Sequence, residues 1–181
     1  MALKSTIYKA ALQVSDMDRH YYGQHALTIA RHPSENDERM MVRLLAFACN
    51  ASEALEFGRG LSADDEPDLW QKDLTGAIER WIDVGLPDER LLRKACGRAQ
   101  QVVLFAYGGK TVDIWHAENR AKLERLDNLR IIVVPTESTQ ALACLAQRSM
   151  DLQCTIQDGD IWFSAGQTTL HISPLILQDK R

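Results

Sequence analysis

The sequence predicts an α+β fold: a single compact domain in which a mixed β-sheet carries flanking helices. Three observations carry that reading. Alternating, β-branched segments stand at both ends of the chain, while helical periods and short apolar runs take turns in the middle. No repeat, low-complexity tract or linker interrupts the 181 residues, a length that suits one domain better than two.

From Ala2 to Arg31 the pattern gives two long strands, STIYKAALQV and YYGQHALTIA, joined by the polar turn DMDR. Gly23 is read as a bend or bulge in the second strand. Ser34 is the expected N-cap of the next element, with Glu35, Asp37 and Glu38 favouring the helix dipole. Met41, Leu44, Leu45 and Ala48 recur at helical spacing, so this helix is drawn over residues 35–50. ALEFGRGLS reads as a short strand leading into the acidic loop ADDEPD, where Pro67 bars a helix. LWQKD and IERWIDVG are two strands around an LTG turn. After Gly85, LPDERLLRKACGRAQ is a helix opened by Pro87 and Asp88. VVLFAYG and LRIIVVP are continuous apolar strands, suited to burial on both faces, and a helix over 112–126 separates them. TESTQALACLAQRS is the last helix, opened by Thr136 or Ser138. The tail alternates across three short strands, with Asp158-Gly159 as a hairpin turn.

Composition narrows the function classes. Apolar residues make up 45% and charged residues 25%, as in ordinary globular proteins, and no apolar run nears the ~20 residues of a membrane span. The first residues lack the sections of a signal peptide, so the expectation is a cytoplasmic protein with no membrane partner. Cys49, Cys96, Cys144 and Cys154 form no close pair and lie in apolar surroundings, as buried reduced thiols do. The histidines show no metal spacing, and no serine or cysteine sits in a nucleophile motif. Tyr107-Gly-Gly-Lys reads as a turn rather than a phosphate cradle, so no organic cofactor is expected. A net charge of −4 argues against a broad nucleic-acid coat while leaving room for a local basic groove. Nothing in the sequence dictates an oligomeric state.

The stretch EPDLWQKDLTGAIERWIDVG holds the densest chemistry. Asp68 follows Pro67, and fifteen residues on Asp83 sits inside an apolar run. Alternation puts Glu79, Trp81 and Asp83 on one face of their strand. A carboxylate between Ile82 and Val84 is costly unless paired, hydrogen-bonded or metal-bound. Clustered carboxylates repel one another, and a hard cation such as Mg²⁺ or Mn²⁺ removes that penalty. The competing reading has Asp68 capping a turn and Asp83 pairing with an arginine. Glu38 stands beside the apolar stripe of its helix, either facing a site or pairing with Arg39 or Arg43 in solvent. Arg90, Arg93, Lys94 and Arg98 share one helix face, which suits phosphate binding or, equally, a solvated basic surface. The four tryptophans suit the core or a groove wall, where one could stack on a base.

Several stretches resemble the YaeQ family of small bacterial proteins: MALKSTIYKA, LTIARHPSENDERMMVRLLAFA, FGRGLSADDEPDLW, IERWIDVGLPDERLLRKACGRA, VDIW and TIQDGDIW. The resemblance implies an αβββαβ core related to the PD-(D/E)XK nucleases, with a metal site on the sheet, and a biochemical activity that is itself uncharacterised. Carried onto this chain, Pro67-Asp68 matches the PD element, Asp83 the later acid and Glu38 the helix acid. Glu66 and Glu79 are rivals for the acid roles as metal ligands. The departure is Gly85, which stands where the nuclease lysine is expected, and Lys94 is the candidate replacement. The function these residues imply is a Mg²⁺- or Mn²⁺-dependent phosphodiesterase acting on nucleic acid. The alternative is a non-catalytic nucleic-acid- or protein-binding regulator on a degenerate scaffold.

Overall fold

A computed structural model of the chain describes residues 4–59 and 65–181. The first residues of the expected hairpin and Ala63 and Asp64 of the acidic loop lie outside that range. Four helices and eleven strands occur among the described residues, in two mixed sheets. The chain divides into two units, Met1–Glu53 with Glu137–Ser173 and Ala54–Thr136 with Pro174–Arg181.

The first unit is built on the predicted hairpin. In β1 (Thr6–Asp16) Tyr8, Ala10, Leu12 and Val14 are buried, and the residues between them face outward. β2 (Tyr21–Arg31) pairs with it antiparallel over eleven unbroken partners, so Gly23 makes no bulge. Its reason is a side chain: a Cβ at Gly23 would lie 2.6 Å from the hydroxyl of Tyr21, whose ring crosses the strand there. That hydroxyl bonds His25 Nε2 at 2.7 Å. The tail supplies the rest of the sheet. β8 (Ser149–Gln157), β9 (Asp160–Ala165) and β10 (Thr168–Ile172) are joined by short turns, and β8 runs parallel to β1, with Lys9 opposite Ser149. Asp158 and Gly159 both have positive φ, as the tight hairpin turn requires.

Helix α1 (Asp37–Cys49) is capped by Asn36, whose side chain accepts from Arg39 N, and not by Ser34, which bonds His32 Nδ1 instead. Burial runs through every residue from Met40 to Ala48, so the apolar stripe underestimates how enclosed the helix is. Arg43 is buried there as well. Its guanidinium donates to both carboxylate oxygens of Glu35, at 2.8 and 2.7 Å, and to Ala30 O at 3.0 Å. Arg39 adds a further bond to Glu35 at 3.0 Å. Glu35, expected inside the helix, precedes it and serves this network.

The second unit carries a six-stranded sheet in the order β11-β7-β6-β5-β4-β3. Its strands are β3 (Leu55–Phe57), β4 (Leu69–Lys72), β5 (Ile78–Val84), β6 (Ala99–Ala106), β7 (Leu129–Val133) and β11 (Leu175–Asp179). β5, β6 and β7 are parallel, connected through α2 (Glu89–Arg98) and α3 (Lys110–Leu123). Leu92 and Ala95 of α2 join Val112 and Leu123 of α3 in one cluster with Trp81, Val102, Leu104 and Leu129. Both helices therefore cover the same sheet face, as two right-handed crossovers in one direction demand. The last helix, α4 (Thr136–Ala143), is short and from Glu137 on belongs to the first unit.

Strand β11 was not expected from the sequence, because LILQD after Ser173-Pro174 is too short to show alternation. It pairs antiparallel with β7, and Gln178 is what fixes it. The buried Gln178 amide donates to Leu123 O, the α3 end, at 3.0 Å, and to Leu126 O and Leu129 O at 3.3 Å.

Burial corrects the cysteines too. Cys154 is buried and Cys49 and Cys96 half-buried, but Cys144 is exposed. Burial pushes the Cys96 thiol up to about 11, and Cys154 is raised further by the same cause. Since the thiolate is the reactive form, one thiol per chain should react rapidly with a disulfide reagent at neutral pH, and Cys144→Ser should remove it. Two or more fast thiols in the native protein would contradict this burial. Among the described residues no helix is long and apolar enough to cross a membrane.

Candidate functional site

The β4–β5 hairpin positions the two central acids. Its turn is held by Asp73, whose Oδ1 accepts from Thr75 N, Thr75 Oγ1 and Ala77 N at 2.6–3.0 Å, while Gly76 takes a positive φ. The register then sets Trp70 opposite Trp81 and Leu69 opposite Ile82. Asp68 stands in the bend just before β4, one step beyond that pairing, and Asp83 shares a face of β5 with Trp81.

Asp68 is 4% exposed, and its Oδ2 accepts from Val84 N at 2.8 Å, across the hairpin. Its carbonyl accepts from Gly58 N at 2.9 Å, tying it to the end of β3. That approach needs glycine, since a Cβ at Gly58 would stand 2.0 Å from Pro67 O. Asp83 is half-buried, and its Oδ2 accepts from Trp81 Nε1 at 2.8 Å. The Trp81 indole meets Trp70 edge-on at 6.2 Å, and the Arg98 guanidinium lies 5.0 Å from its centroid. Lys72 in turn sits 3.6 Å above Trp70. Two indoles in edge-on contact thus stand between two cations from β4 across to α2.

The remaining candidates have other partners. Lys94 Nζ bonds Asp65 Oδ1 at 2.8 Å, and Arg98 donates to Asp65 O at 2.9 Å. The hydrogen bond and charge of Lys94 hold the Asp65 carboxyl below its usual range. Glu66 lies 2.9 Å from the Arg59 guanidinium, which lowers its pKa through hydrogen bonding. Glu79 accepts from Gln71 Nε2 at 2.8 Å, at the other end of β5, and lines a polar groove of about 290 Å³ with Arg80, Gln101 and Arg181. Glu38 belongs to the first unit, where its Oε1 accepts from Thr139 Oγ1 at 3.1 Å. Arg93 and Lys122 lie 3.7 and 3.9 Å from Glu89, so part of the basic helix face compensates neighbouring acids.

Gly85 has a backbone reason of its own. Its φ is +106°, and its N–H donates to Phe105 O at 2.9 Å where the chain leaves β5. A side chain would have space there but not the conformation, so a lysine at this position is strained out.

Asp68 therefore bonds the backbone next to Asp83, while Glu66, Glu79, Lys94 and Glu38 have other partners. Among the described residues no three Cys, His, Asp or Glu side chains gather as a metal cluster. Sequence reasoning missed Gly58, Asp65 and the Trp81–Asp83 hydrogen bond. Only the last left a signal, the i, i+2 spacing on one strand face.

These features define the chain as an α+β protein with two mixed sheets and a pair of carboxylates at the edge of a parallel core. Within that class, the chain belongs to the YaeQ family, whose model, described as YaeQ protein, matches residues 1–174. The Escherichia coli K12 relative, named Uncharacterized protein YaeQ, is 46% identical over 173 residues, covering 96% of each chain. The Salmonella typhi protein of the same name is 48% identical over 172 residues and 95% of each. The crystal structure of the YaeQ protein from Xanthomonas axonopodis pv. citri superposes with a TM-score of 0.93 at 49% identity, covering 96% of this chain and 98% of that one. The Pseudomonas syringae YaeQ structure gives 0.93 at 37% identity and 97% coverage of both.

Proposed function

We propose that this protein is a divalent-metal-dependent phosphodiesterase acting on nucleic acid, on a core related to the PD-(D/E)XK nucleases. The observation that carries the reading is that Asp68 bonds the backbone of Val84, the residue next to Asp83, with each acid already oriented by a hydrogen bond. The pair fits Mg²⁺ or Mn²⁺, because such ions take one or two carboxylates and fill their remaining positions with water and substrate phosphate oxygens. The ion would supply polarisation of the phosphate and a more acidic attacking water.

The chain's own residues do the rest. Val84 N and Trp81 Nε1 each hold one carboxylate in place, so little ordering is left for the moment of binding. Lys94 supplies the positive charge that the backbone at Gly85 excludes. Its bond to Asp65 joins two exposed groups, and such pairs exchange readily for a better anion. Arg98, Arg90 and Arg93 extend the cationic surface along α2 for the phosphate backbone.

The test is incubation of the purified protein with labelled single- and double-stranded DNA and RNA plus Mn²⁺. Cleavage that Asp83→Ala and Asp68→Ala both abolish is the expected result; absence of metal-dependent cleavage on all four substrates would sink the catalytic reading. A non-catalytic binding protein is the second reading, favoured by the lysine position falling on Gly85. It predicts Mn²⁺ uptake by isothermal titration without turnover.

A further inference from the structure

We infer that the Trp81 indole N–H is the positioning group for Asp83, setting the orientation in which that carboxylate receives the divalent ion. This rests on the reading of the site proposed above and names a residue that the acid-and-lysine pattern does not contain.

Three observations converge on it. Trp81 is 5% exposed, so its N–H cannot be satisfied by bulk water and needs a protein acceptor. The acceptor it finds is Asp83 Oδ2 at 2.8 Å, two residues on along the same strand, where backbone geometry leaves little freedom in the distance. The ring itself is fixed from two directions, edge-on by Trp70 at 6.2 Å and across its face by the Arg98 guanidinium at 5.0 Å. Arg98 is in turn anchored on Asp65 O at 2.9 Å. A cation over the ring makes the indole N–H a stronger donor, and a bond from it to a carboxylate is charge-assisted.

The consequence is chemical. One Asp83 oxygen is committed to the indole, which fixes the rotation of the whole carboxylate. An outer partner that orients a ligating group in this way is worth about 10–100-fold in metal affinity when removed. Arg98 acts one step further out, by holding the ring that holds the carboxylate.

The experiment compares Mn²⁺ affinity by isothermal titration of wild type, Trp81→Phe and Asp83→Asn, with thermal unfolding of each metal-free protein. Phenylalanine keeps an aromatic ring between Trp70 and Arg98 but has no N–H. The expected result is an affinity about 10–100-fold weaker in Trp81→Phe at near-native secondary structure. A merely structural tryptophan would lower the unfolding temperature and leave the Mn²⁺ affinity where it was, and that outcome overturns the inference alone. Wild type that takes up no Mn²⁺ overturns the functional reading with it. If Trp81→Phe does not fold, the indole ¹⁵N–¹H signals of ¹⁵N-labelled wild type decide. One should shift on Mg²⁺ titration in wild type and stay still in Asp83→Asn, whereas no shifted indole overturns the proposal.

Discussion

Arg43→Ala is expected to cost about 3–5 kcal/mol of stability, the loss typical of stranding one member of a buried ion pair. Arg43 and Glu35 have side chains 3% and 2% exposed, and the guanidinium makes two bonds to the carboxylate and one to Ala30 O. Truncation leaves the Glu35 charge buried with Arg39 and the His32 N–H but without its two Arg43 bonds, and empties the space the buried guanidinium filled. Denaturant unfolding measures the loss directly. The double variant Arg43→Met, Glu35→Leu should recover most of it, since an apolar pair of similar volume dispenses with desolvating both charges. A single-variant cost below about 1 kcal/mol would show the pair to be solvated in solution, as surface pairs are. The network joins β2 to the segment before α1, so its loss should loosen the first unit as a whole.

Gly58→Ala is expected to be the most damaging small substitution near the candidate site. Its Cβ would fall 2.0 Å from Pro67 O, a backbone atom that can give way only by moving the Pro67–Asp68 peptide. That movement breaks the Gly58 N to Asp68 O bond and drags the Asp68 carboxylate off Val84 N. Overpacking of this kind costs about 1–3 kcal/mol, and a strained-out hydrogen bond adds about 1 more. The functional readout is sharper: Mn²⁺ uptake should fall as far as in Asp68→Ala. Gly97→Ala is the control, because that glycine lies inside α2 with open space around it. It should stabilise the protein by up to about 1 kcal/mol through helix propensity. Equal behaviour of the two alanine variants would mean that the chain does not pass Gly58 so closely.

Local patterns carried most of the elements. Alternation marked β1 and β2, the apolar runs marked β6 and β7, and Pro87-Asp88 placed the start of α2. What failed did so for physical reasons. Ser34 and Asn36 are both good caps, and the competition was decided by His32, which takes the serine hydroxyl, and by the buried Arg43, which needs Glu35 outside the helix. β11 is defined by one amide reaching three carbonyls, a non-local fact that five residues cannot advertise. Of the site, the spacing of Asp68 and Asp83 was legible but their register was not, because an irregularity between Gln71 and Lys72 shifts the pairing of the two strands. The partners of Lys94, Glu66 and Glu79 were not, since each depends on which exposed side chains happen to lie within reach. Gly85 was read as a missing lysine, whereas its positive φ gives the glycine its own backbone role.

The parallel pairing of β1 with β8 sets a timetable for the nascent chain. Lys9 finds its partner Ser149 only when most of the protein has been made, and β7 waits for Leu175–Asp179 at the far end. Neither unit is an uninterrupted stretch of sequence. During synthesis, the hairpin must remain a two-stranded fragment with an uncovered β1 edge, the kind of strand that captures neighbouring chains. Contacts so distant in sequence also close slowly, because loop entropy must be overcome first. Refolding from denaturant should therefore be limited by the joining of the two chain ends, and ribosome-bound fragments that stop before residue 149 should depend on chaperones in a way the finished protein does not.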